Sequence, residues 1–75
     1  MKEIIDETVL YKIKSRLLEL KTEFEESDNL DGQVIVNLNI SRVGSFIEEY
    51  DKTGALTFSS EESIRDLGNT LGVWG

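Results

Sequence analysis

Residues 41–54 read SRVGSFIEEYDKTG, and the fold turns on how this stretch is built. Two periodicities compete in it. Val43, Phe46, Ile47 and Tyr50 fit a helical i, i+3, i+4, i+7 pattern. Ser45 with Glu48 makes a capping box for that helix, and Gly54 supplies its stop. Against this, Asp51-Lys52-Thr53-Gly54 lies between FIEEY and ALTFSS, which is a hairpin signal. A three-residue loop with Gly54 in the left-handed position pairs Tyr50 with Leu56. Tyr50, Leu56 and Phe58 then share one face with Phe46, while Ile47, Glu49 and Thr57 take the other. The hairpin gives the turn residues a specific backbone task, where a helix uses them only to stop. It is therefore the expected structure, with a short helix over residues 45–53 as the alternative. Its weak point is Glu48, which points between aromatics unless the strand is an edge where the carboxylate reaches water.

Upstream, Gln33 to Ile40 reads QVIVNLNI and alternates like a strand. Val34, Val36, Leu38 and Ile40 form an apolar face, and Gln33, Ile35, Asn37 and Asn39 the other. Before it, Ser27 to Gly32 (SDNLDG) has loop composition, with Asp31-Gly32 as a tight turn and Leu30 tucked beneath.

Lys2 to Glu26 reads as a long amphipathic helix. Leu10, Ile13, Leu17, Leu20 and Phe24 recur at 3-4-3-4 spacing and fall within about 80° of arc. Ile4, Tyr11 and Leu18 make a sparser line at intervals of seven, off the main face. Downstream, Ser59 with Glu62 is a capping box for a helix whose stripe is Ile64, Leu67 and Leu71, interrupted by Gly68. Val73-Trp74-Gly75 then closes the core edge. The expected fold is one α+β domain over residues 1–75, ordered α-β-β-β-α, with a three-stranded antiparallel meander and both helices on one face. The alternative order is α-β-α-β-α. The first order is shared with double-stranded-RNA-binding domains, a likeness of topology alone, because the basic residues such domains need are missing.

The chain has 75 residues and a net charge of −7, and it lacks His, Cys and Pro. Without His and Cys it lacks the usual general base, nucleophile and zinc ligands. No Gly-rich phosphate loop is present, and on a strand Glu48 and Glu49 point to opposite faces. A non-enzymatic protein without cofactor or metal is the expectation. The charge is uneven. Residues 1–22 carry five cations against four acids, and residues 23–75 carry three cations against eleven acids, a net of −8. That balance argues against direct binding to nucleic acid or to an anionic membrane surface. No apolar run approaches the length of a membrane span, and the cysteine-free composition fits a reducing, cytoplasmic setting.

Two surfaces are candidates for binding. Glu23, Glu25, Glu26, Asp28 and Asp31 place five acids in nine residues. Three of them stand at a helix C-terminus, where the macrodipole disfavours negative charge. Such a cluster suits a protein partner with a basic surface, including one shaped to hold nucleic acid, whose phosphates spaced carboxylates imitate. Small acidic chains of this kind are common among phage-encoded inhibitors and regulators, which act in the host cytoplasm. The second candidate is self-association as a homodimer or assembly-forming structural protein, through Ile4, Tyr11 and Leu18 on the helix and Ile35 and Ile47 on the outer sheet face. A weaker alternative is a degenerate calcium module. DKTGALTFSSEE, Asp51 to Glu62, resembles in part the twelve-residue calcium loop of EF-hand proteins. Asp51 and Glu62 match its first and closing ligands, and Phe58 its apolar eighth position. It departs where that family needs Gly, at Leu56, and where it needs side-chain ligands, at Thr53 and Ala55.

Overall fold

The computed structural model describes residues 5–74 and contains three helices: α1 (Glu7–Glu26), α2 (Leu30–Thr53) and α3 (Phe58–Leu71). No strand occurs among the described residues. The expected α-β-β-β-α meander is therefore wrong, and so are the strands of the α-β-α-β-α alternative. The helical reading of residues 45–53 holds, but as the second half of a helix that already begins at Leu30.

Continuity of α2 follows from one stripe. Val36, Ile40, Val43, Ile47 and Tyr50 recur at 4-3-4-3 spacing, and all five are buried or packed against the core. The stripe crosses the supposed boundary at Ser41 without a break. It mirrors the 3-4-3-4 stripe of α1, in which Leu10, Ile13 and Leu17 are fully buried and Leu20 and Phe24 pack beside them. Two such stripes face each other when a three-residue turn, Ser27–Asn29, folds the helices antiparallel. Each fully buried aliphatic side chain contributes about 1.5–3 kcal/mol relative to exposure. A strand over residues 33–40 satisfies only its own alternation, whereas a helix lets Val36 and Ile40 join the three buried positions beyond them. Tertiary packing thus overrides the β-branched composition. The result reverses half the strand assignment: Val36 is 2% exposed, but Val34 is 68% and Leu38 is 62% exposed.

The turn signals are helix caps. At Gly54 the backbone adopts φ 76°, and its N–H donates to the Tyr50 carbonyl at 2.7 Å, ending α2. Lys52 stands in the last turn, where the dipole favours a cation. Ala55 and Leu56 connect the helices, with Leu56 packed against the core. Thr57, not Ser59, caps α3: its Oγ1 accepts from the Ser60 N–H at 3.2 Å. Asp6 caps α1 in the same way, accepting from the Val9 N–H at 3.0 Å. The first helix is thus shorter than its expected span from Lys2; residues 1–4 lie outside the described residues. Leu30, expected beneath a loop, opens α2 with its side chain exposed.

α3 packs chiefly on α1 and only lightly on α2. Ile64 is its fully buried anchor, with Leu67 and Leu71 packed alongside. The helix runs through Gly68 because Trp74 folds back onto that position. A Cβ there would collide with the indole, and the indole Nε1–H donates to the Arg65 carbonyl at 3.2 Å. The molecule measures 38 Å along its longest axis, close to the roughly 36 Å length of a 24-residue helix.

Two valines separate the helix from the strand. Val34→Ala should leave stability within about 0.5 kcal/mol, while Val36→Ala should lose about 1–3 kcal/mol in urea unfolding followed by circular dichroism. A strand, with both valines on its buried face, requires comparable losses.

Candidate functional site

The end of the molecule where α1 turns into α2 carries the acidic residues. Glu23, Glu25 and Glu26 occupy the last turn of α1, Asp28 lies in the turn, and Asp31 is in the first turn of α2; all five are exposed. The helical hairpin therefore brings them to one end.

Their local supports are backbone ones. Ser27 is the C-cap of α1, and the Asp28 N–H donates to the Glu25 carbonyl at 3.3 Å. The Asn29 N–H donates to the Phe24 carbonyl at 2.9 Å. These two bonds make a Schellman motif, with Asp28 at the left-handed position usually held by glycine. Asp28 has φ 55°, the one positive φ outside glycine among the described residues. Asn29 then caps α2, its Oδ1 accepting from the Gly32 N–H at 2.9 Å. The Gln33 amide donates to the Phe24 carbonyl at 3.3 Å, fastening the two helices behind the turn.

Charge at this end is poorly neutralised. Arg16 reaches Glu19 at 3.1 Å and Glu23 at 3.7 Å. Among the described residues, Glu25, Glu26, Asp28 and Asp31 make no ion pair, and the last turn of α1 holds no basic residue. Asp31 alone is well placed for the dipole, at the start of α2. Exposed pairs like those of Arg16 contribute little to stability.

The apolar candidates scatter. Ile47 is 8% exposed and belongs to the core, because the outer sheet face it was assigned to does not exist. Tyr11 and Leu18 are exposed on α1, and Ile4 lies outside the described residues. Ile35 is 61% exposed on α2, away from Tyr11 and Leu18, and α2 also exposes Leu30, Val34 and Leu38. This α2 surface was missed because alternation had turned Val34 and Leu38 inward. Beside Ile35 an apolar groove of about 180 Å³ opens between the helices, lined by Leu17, Leu20, Phe24, Leu67 and Leu71.

The EF-hand likeness has no counterpart in space. Only Gly54–Thr57 separates α2 from α3, with Asp51 still in one helix and Glu62 already in the other. Among the described residues no group of three or more carboxylates is gathered closely enough to hold a metal ion. No described helix is long and apolar enough to cross a membrane. Comparison with family models, with curated proteins and with solved structures finds no match to this chain.

Asp28 is acidic where backbone and dipole both favour something else. Asp28→Gly should stabilise the protein by about 1 kcal/mol in thermal unfolding by relieving the left-handed conformation. Asp28→Asn should gain about 0.3–1 kcal/mol by removing the charge alone.

Proposed function

We propose that this chain is a small non-enzymatic interaction protein, an inhibitor or regulator, whose acidic α1–α2 end docks on a basic surface of a partner protein. The observation that carries the reading is the gathering of Glu23, Glu25, Glu26, Asp28 and Asp31 at one exposed end, where only Glu23 has a described cation partner. Folding gains nothing from three of these acids at a helix C-terminus, or from Asp28 in a left-handed turn.

Carboxylates one helical turn apart, with Cβ atoms about 5–6 Å from each other, present a repeating negative charge to a surface built for phosphates. Docking of this kind is steered by long-range attraction and weakens with salt. The partner surface is therefore a Lys- and Arg-rich one, and a nucleic-acid-binding protein is the natural source of it. The chain itself, acidic over this end, does not bind nucleic acid or membrane directly. A cysteine-free chain suits the cytoplasm, and the host cytoplasm if a phage encodes it.

The triple variant Glu23→Lys, Glu25→Lys, Glu26→Lys tests the reading, with the wild-type chain immobilised against host lysate. A partner captured at low salt should elute with added salt or double-stranded DNA, and the variant should fail to capture it. Capture that survives the charge reversal with unchanged salt dependence contradicts the proposal.

A further inference from the structure

The exposed apolar face of α2 has its own pattern. Asp31, Ile35, Leu38 and Arg42 follow one another at spacings of four, three and four, the seam spacing of a coiled coil. That seam is turned about a third of the way round α2 from the core stripe of Val36, Ile40, Val43 and Ile47. It lies on the side that α3 borders, where Ile35 lines a groove with Leu67 and Leu71 and Arg42 lines one with Ser63 and Asp66. Ile35 and Leu38 are mostly exposed, and Asp31 and Arg42 make no ion pair within 4 Å among the described residues. In one chain Asp31 and Arg42 stand eleven residues apart, about 16 Å along the helix, too far to pair with each other. From Gln33 to Ser41 no residue is charged, in a chain of net charge −7.

Along the seam the order is acid, apolar, apolar, base. Reversed, it is base, apolar, apolar, acid. A second copy laid antiparallel across α2, with the two-fold axis between Val36 and Asn37, sets each member opposite its complement. Asp31 meets Arg42 of the second copy, and Ile35 meets Leu38 of the second copy; the symmetry repeats both contacts. We propose that the outer face of α2 is a two-fold interface between two copies of this chain, in this antiparallel register. The uncharged middle lets two acidic molecules approach, and the end charges fix direction, because a parallel pairing sets Asp31 on Asp31 and Arg42 on Arg42.

The exposed parts of Val34, Ile35 and Leu38 amount to a patch of roughly a few hundred Å², the size that marks an interaction site on a small protein. A standard interface takes about 800 Å² from each partner, so the pairing is a modest one, on the order of micromolar. The interface takes Asp31 from the acidic end and leaves Glu23, Glu25, Glu26 and Asp28 uncovered. Charge reversal at Glu23, Glu25 and Glu26 therefore tests the docking without touching the interface, and Leu38→Glu tests the interface without touching the docking.

Sedimentation equilibrium over a wide dilution series tests it, with circular dichroism to verify that each variant is folded. Wild type should show a reversible dimer. Leu38→Glu, at an exposed position, should keep its helical spectrum and weaken the dimer by about a hundredfold or more, since two carboxylates are then buried at its centre. Asp31→Arg and Arg42→Asp should each weaken it about tenfold, and the double variant should return to within about threefold of wild type. Should Asp31→Arg loosen the first turn of α2, Arg42→Asp and Leu38→Glu still carry the test. A wild type monomeric at about 1 mM overturns the proposal and leaves the face to a partner of different sequence. A dimer indifferent to Leu38→Glu, or a charge swap without rescue, overturns it equally.

Discussion

The structure depends on one seam. Leu10, Ile13 and Leu17 of α1 face Val36, Val43 and Ile47 of α2, and six of the seven buried core residues belong to this pair of helices. Both stripes alternate steps of three and four, so two antiparallel helices keep their apolar faces together over most of their length. α3 depends on that seam. Its 14 residues are too few for an isolated helix to be stable in water. It is held by Ile64 in the core, by its Thr57 cap and by Trp74 closing over Gly68. Arg65 adds pairs to Glu61 at 3.3 Å and Glu62 at 3.0 Å, within its own helix.

With the seam in place, α2 has more apolar surface than the core uses. A helix shows its neighbour one stripe, and the chain of Val34, Ile35, Val36, Leu38 and Ile40 is apolar nearly all round. A helix of that kind is expected only where it is enclosed on more than one side. Here α1 covers one side, α3 touches lightly, and the outer side stays open. The turn between α1 and α2 shows a second surplus, of negative charge. At both places the residues depart from what folding favours, which is where function is expected to reside.

The first helix was legible because a 3-4-3-4 stripe has one reading. So was the acidic cluster, whereas the stripe of Val43, Phe46, Ile47 and Tyr50 was visible only in the helical alternative to the hairpin. The failure lay in Gln33 to Ile40. Val34, Val36, Leu38 and Ile40 satisfy a period of two, but Val36 and Ile40 also begin a 4-3-4-3 series that runs to Tyr50. Read in eight residues, the strand fits; read across eighteen, the helix does. Asp51-Lys52-Thr53-Gly54 compounded the error, since a left-handed glycine ends a helix as readily as it turns a hairpin. The α2 outer face could be read from the spacing of Asp31, Ile35, Leu38 and Arg42, but only once the segment was known to be helical. Asp28 could not be located in the left-handed turn without knowing where α1 stops. The trace it left was the DNLDG composition after three glutamates.

The most direct measurement is an amide-to-amide nuclear Overhauser series across residues 33–50, with methyl contacts between α1 and α2. One uninterrupted helix requires sequential amide contacts through Ser41, and methyl contacts joining Ile13 and Leu17 to Val36 and Val43. A break at Ser41, with strong sequential Hα–amide contacts from Gln33 to Ile40 and cross-strand contacts between Tyr50 and Leu56, contradicts the account.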